Sequence, residues 1–175
     1  MEWHESVFDL IDMRSFSNLW FWLALSVVWS TTSHWILGVP FDLVQRASRH
    51  GGQAEQDLHD IVRINTNRIL YISGVSGMWI LGFTCFALTS IAILGFYFKV
   101  EFCQAMFLLG LPLSFVGLLS LDTARRIRKN GLQGEALIRK LRLHRVFVQL
   151  IGIVAIFVTG FWGMYQNLTI GVLGG

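Results

Sequence analysis

The chain is predicted to be an all-α integral membrane protein, and three observations carry that prediction. Of its 175 residues 54% are hydrophobic and only 14% charged, where soluble domains carry about 25% charged residues. A chain this short cannot bury so much apolar surface in one water-soluble core, because small domains keep much of their surface wet. Long stretches contain no Lys, Arg, Asp or Glu, and the basic residues gather in two of the connections between them. The reading is a single membrane domain, 1–175. It has four transmembrane helices, an N-terminal interfacial amphipathic helix and a basic cytoplasmic helical hairpin.

The interfacial helix falls in 1–16. At about 100° per residue, Glu2, Glu5, Asp9 and Asp12 gather on one face and Trp3, Val7, Leu10 and Ile11 on the other. Such a helix lies in the plane of the interface with its apolar face in the acyl boundary. Its opening acids exclude a cleavable signal peptide, which needs a basic start.

The first crossing is 17–37, "SNLWFWLALSVVWSTTSHWIL", 21 residues without a charge. That length spans the roughly 30 Å hydrocarbon layer. Ser17 is its expected cap, and Gly38-Val39-Pro40 ends it. In the following "FDLVQRASRHGGQAEQDLHDIVRINTNR", four Arg are offset by four acids, and Gly51-Gly52 divides two short helical pieces, the second expected to run into the second crossing. "INTNR" is expected to bend, because Asn and Thr compete for backbone hydrogen bonds.

The second crossing is 69–98, 30 uncharged residues, long enough to tilt or protrude. Lys99 and Glu101 mark a turn into the third crossing, 102–121, where Pro112 is a kink candidate. Asn130-Gly131 is a helix stop. The third helix is thus expected to run on as "DTARRIRKN" and the fourth, 146–165, to begin early at "GEALIRKLRLHR". The resulting hairpin leaves Leu132, Leu137, Ile138 and Leu141 available for packing or partner contact.

Counted by connection, the two long loops carry 12 Lys and Arg, four from 38–68 and eight from 122–145. The other side carries two, Arg14 and Lys99. The positive-inside rule places both loops in the cytoplasm and both termini outside. The basic cluster Arg125, Arg126, Arg128, Lys129, Arg139, Lys140, Arg142 and Arg145 is therefore a topology signal and a docking surface for lipid or protein. It has no aromatic interleaving and no reading motif, which excludes nucleic acid. Each such charge near an anionic membrane surface gains ~1 kcal/mol.

Small residues mark helix-packing stripes, since they let backbones approach closely in lipid. They are Ser73 and Gly77 on the second crossing, and Gly110, Ser114 and Gly117 on the third. Gly152, Ala155, Thr159 and Gly163 form one stripe on the fourth. Trp20, Phe21, Trp22, Trp162 and Tyr165 suit an outer aromatic belt; Trp29 and Trp35 do not.

No catalytic constellation or metal-ligand spacing is visible, so the chain reads as a non-enzyme without a cofactor. Cys85 and Cys103 lie in or beside apolar runs and read as small apolar side chains. The uncharged crossings argue against proton pumps and ion-coupled carriers, which place ionisable groups in the membrane. His34 and His144, at the same end of two crossings, are the pair that could ligate a b-type haem.

The segment "VFDLIDMRSFSNLWFWLALSVVWSTTSHWILGVPFD" resembles small bacterial inner-membrane proteins labelled as a component of the SufBCD complex, over most of the chain. The resemblance implies contact with an iron–sulfur assembly scaffold. The expectation is an accessory, assembly or anchoring subunit of a larger bacterial inner-membrane complex. Its partners would be membrane lipids and other membrane subunits, with a homo-oligomer as one form. The alternative is a small transport or channel module, or a haem-binding membrane protein.

Overall fold

The structure is a computed structural model that describes residue 16 and residues 19–173, with side chains through 168. The amphipathic helix expected at Glu2–Met13 and the cap expected at Ser17 lie outside the described residues. Helix α1 is Leu19–His34, followed by a hairpin of β1, Trp35–Ile36, and β2, Val39–Pro40. Helix α2 is Phe41–His50 and α3 is Gly52–Ala92, which widens into a π turn at Ile93–Tyr97. Helices α4, Glu101–Asn130, and α5, Gly134–Leu173, complete the chain. Three helical stretches, Gly52–Tyr97, Glu101–Asn130 and Gly134–Leu168, are long and apolar enough to cross a membrane.

The first apolar run departs from expectation. Its helix has 16 residues, about 24 Å at 1.5 Å per residue, and does not continue to Leu37. Ile36 pairs with Val39 across a two-residue turn. Leu37 and Gly38 there both take positive φ, 52° and 74°, as the tightest hairpin turns require. The turn is anchored from outside, where the Asn65 amide donates to the Gly38 carbonyl at 3.1 Å.

That bond also explains a second departure. "INTNR" does not bend; α3 runs through it as part of a single 41-residue helix. Asn65 spends its side chain on Gly38 and Thr66 is buried against neighbouring helices. Tertiary contacts thus override the local preference of Asn and Thr for turns. The piece after Gly51 runs straight into the second crossing, as expected, without the bend. Ile93–Tyr97 at the far end is π rather than α, and α5 runs beyond Tyr165 to Leu173.

Two cores hold the helices. At the charged end, Ile36, Val39, Phe41, Val44, Ala47, Leu58, Val62, Ala124, Ile127, Leu137, Ile138 and Leu141 form one buried cluster. It draws on the hairpin and on α2 to α5. Phe41, Val44 and Ala47, spaced three apart, put one face of α2 into it with Leu43 packed at its edge, while the remaining residues are polar. Each large side chain so buried contributes about 1.5–3 kcal/mol. Leu137, Ile138 and Leu141 are therefore committed to the chain's own core, with Leu132 packed on its edge. The basic hairpin does not stand alone; it is one wall of this layer.

The second core lies in the apolar layer, where Leu25 and Trp29 of α1 meet Val116 of α4 and Val148 and Ala155 of α5. Helix α3 contributes nothing to it. Of the most apolar window of α3, 6% of the residues are buried, against 17% in α4 and 28% in α5, the smallest share of the three.

Candidate interaction surfaces

Because Leu137, Ile138 and Leu141 turn inward, the charges between them turn outward. Arg126 donates to Asp122 one turn back at 2.7 Å. Arg142 donates to the Ser48 hydroxyl and so ties α5 to α2. Arg145 lies with its guanidinium carbon 3.7 Å from the Phe41 ring centroid, a cation–π contact. Among the described residues the side chains of Arg125, Arg128, Lys129 and Arg139 have no ion pair or hydrogen bond, and all four are exposed. Lys140 lies near His144. The eight positions thus divide into side chains held by the fold and side chains open to a ligand or surface.

The small residues divide too. A Cβ on Gly152 would sit 2.8 Å from Cε3 of Trp29, and one on Gly163 would meet the Phe16 ring at 3.2 Å. Ala155 and Thr159 are buried, and the Thr159 hydroxyl donates to the Ala155 carbonyl at 2.7 Å. The α5 stripe is therefore occupied from within the chain, and Trp29 is the side chain it receives at Gly152. Gly110 faces Leu88 of α3 at 3.5 Å, and Ser114 donates to the Gly110 carbonyl. Gly117 has nothing within 4 Å, and Gly77 only Ser73 of its own helix at 3.6 Å. Those two glycines are not brought against a side chain of another element.

Each histidine has its own partner. His34 Nε2 lies 3.5 Å from Asp42, both side chains exposed. His144, on the charged stretch just before the uncharged 146–165 run, is 3% exposed. Its Nδ1 shares a hydrogen bond with the Thr123 hydroxyl at 3.0 Å, and its Nε2 lies 3.5 Å from that of Ser120. Burial first, and the Lys140 charge second, lower its pKa from 6.5 to about 4. The folded chain thus prefers neutral imidazole, while the unfolded chain takes a proton below about 6.5. Stability from this group is complete above pH 6.5, falls as pH drops toward 4, and is lost below that. The loss comes to roughly 3 kcal/mol. Melting temperature in detergent from pH 7.5 to 4 should fall more steeply for wild type than for His144→Gln; parallel curves would refute this.

A polar hub at the opposite end of the bundle was not among the sequence candidates. Helical segments end with carbonyls that lack partners, and here Ile93 O accepts from Phe98 N and Leu94 O from Val100 N. Gly95 O is taken by the Gln104 amide at 2.8 Å. Gly95 must be glycine for this approach, since a Cβ would sit 2.8 Å from the Gln104 nitrogen. The Gln104 side-chain oxygen accepts from Trp162 Nε1 at 2.9 Å and from Gln166 at 2.6 Å. Nearby, Glu101 accepts from the Phe16 backbone N–H at 2.7 Å, and Trp22 donates to the Phe16 carbonyl at 3.1 Å. One buried amide thus joins the α3–α4 turn to α5, and Glu101 ties in the approach to α1.

No protein-family profile, curated protein or solved structure matches the chain.

Proposed function

We propose that this chain is an accessory, assembly or anchoring subunit of a larger bacterial inner-membrane complex. It crosses the membrane four times, with both termini outside and the charged end in the cytoplasm. The observation that carries this reading is α3. Its apolar stretch gives no side chain to the buried α1–α4–α5 cluster, its Val75, Met78, Trp79, Phe83 and Phe86 are exposed, and Gly74, Gly77 and Gly82 meet no side chain of another helix within 4 Å. Backbone exposed along one flank of a membrane helix favours close approach of another helix. The uncommitted Arg125, Arg128, Lys129 and Arg139 form the second contact surface, toward anionic headgroups and partner carboxylates. For the first crossing, α1 supplies about 24 Å, less than the roughly 30 Å hydrocarbon layer, a mismatch that local thinning of the bilayer accommodates.

Mild-detergent purification with identification of co-eluting chains tests the role. Gly77→Leu is expected to reduce co-elution at least about tenfold while leaving the chain's own melting temperature within about 2 °C, as suits a contact made only with another helix. Full retention of every co-eluting chain would refute the α3 surface. Labelling in intact cells is expected to reach Cys introduced at Gly174 and not at Gly131; the reverse would overturn the orientation.

A further inference from the structure

We propose that the cleft between α3 and the α4–α5 turn binds a phosphate group, carried by a phospholipid headgroup or by a soluble phosphate compound. The cleft has a volume of about 120 Å³ and is lined by His59, Arg63, Thr66, Asn67, Arg128 and Gln133 over an apolar floor. A water in liquid takes about 30 Å³, so the space admits a tetrahedral anion. Two arginines and a histidine line it, and no carboxylate does. It adjoins a wider cavity of about 520 Å³ through shared His59, Gln133 and Leu137. Glu55 and Asp60 line that wider part, so negative charge is favoured at the narrow end and the remainder of the ligand in the wide one.

Apart from Arg63, the polar lining is uncommitted. Thr66 is 3% exposed, yet its hydroxyl has no hydrogen-bond partner. Helical hydroxyls commonly bond the carbonyl one turn back, as Ser114 and Thr159 do here. A buried donor without an acceptor is what a ligand oxygen would satisfy. Among the described residues the side chains of Asn67, Arg128 and Gln133 also lack partners, while Arg63 touches Asp60 at 3.2 Å. Arginine's planar fork matches phosphate oxygens two at a time. Thr66 stands three residues before the uncharged run that opens at Ile69, about 4.5 Å along the helix axis. This is headgroup depth if 69–98 is embedded. The site rests on that membrane reading but on no protein partner, so its failure and a failed co-elution are separate results.

The test is thermal stability in non-ionic detergent and phosphate-free buffer. Short-chain phosphatidylglycerol, the matching diacylglycerol without phosphate, and inorganic phosphate are each titrated. A saturable rise in melting temperature with phosphatidylglycerol and none with diacylglycerol is expected. Arg128→Gln and Thr66→Val should each raise the half-saturating concentration about tenfold, as loss of one hydrogen bond to a charged group does. Without ligand, Thr66→Val should melt no lower than wild type, since it removes an unsatisfied hydroxyl; should it fail to fold, Arg128→Gln decides alone. A saturable rise with inorganic phosphate identifies a soluble ligand, and a rise with lipid only identifies a headgroup. No rise with either overturns the site. So does an equal loss in Arg49→Gln, because diffuse charge would then explain the binding.

Discussion

Replacing Gly152 by Leu is expected to destabilise the chain by about 2–3 kcal/mol, the cost of forcing extra volume into a closed contact. The hydrogen at Gly152 is all that separates the α5 backbone from the Trp29 ring, and a single added carbon would already approach it to 2.8 Å. Trp29 cannot yield freely, because it is 5% exposed and packs in the same cluster as Leu25, Val116, Val148 and Ala155. Melting in detergent reads the effect, with Gly160→Leu as control because nothing lies within 4 Å of that position. Trp29→Leu combined with Gly152→Leu should recover part of the loss, a coupling that a mutant cycle isolates. Equal melting temperatures for the Gly152 and Gly160 variants would mean that α1 does not pack on α5.

The second large effect falls on Gln104. Gln104→Leu keeps the volume and removes the acceptor of Trp162 and Gln166 and the donor to Gly95. Three polar groups lose their partner, each at about 1–3 kcal/mol when no water replaces it. A total of about 3 kcal/mol or more is expected. Trp162→Phe removes one of the three bonds and should cost a fraction of that. If the two substitutions prove equal, the amide is not a shared hub. Because the turn at Lys99 relies on the same bond, Gln104→Leu should also speed proteolysis near Phe98–Val100.

Much of this architecture was legible in the sequence, for a plain reason. An absence of charge over 20 or 30 residues is a property of composition, and no fold is needed to detect it. Asn130-Gly131 was equally plain, since a left-handed residue ends a helix by local geometry alone; Gly131 has φ 55°. The charged-end core is hidden in the sequence because α2 exposes six of its ten residues and its balanced charges mask the spacing of Phe41, Val44 and Ala47. The bend expected at "INTNR" failed because the partner of Asn65 lies 27 residues away. Gln104 stands in the sequence as one neutral polar residue in an apolar run, and its partners lie 58 and 62 residues further on. The α5 stripe was visible, but only the structure shows that Trp29 fills it at Gly152.

The core at the charged end has a consequence for the order in which this protein can be made. Its earliest side chain is Ile36 and its latest Leu141, so synthesis must pass α4 before the last wall exists. In that interval Val44, Val62 and Ala124 lack the α5 side chains that complete their cluster. Closure of the core is thus a late event, set by the arrival of α5 rather than by any local signal. A chain halted at Asn130 would carry an unsealed apolar patch, the kind of surface that chaperones and proteases recognise.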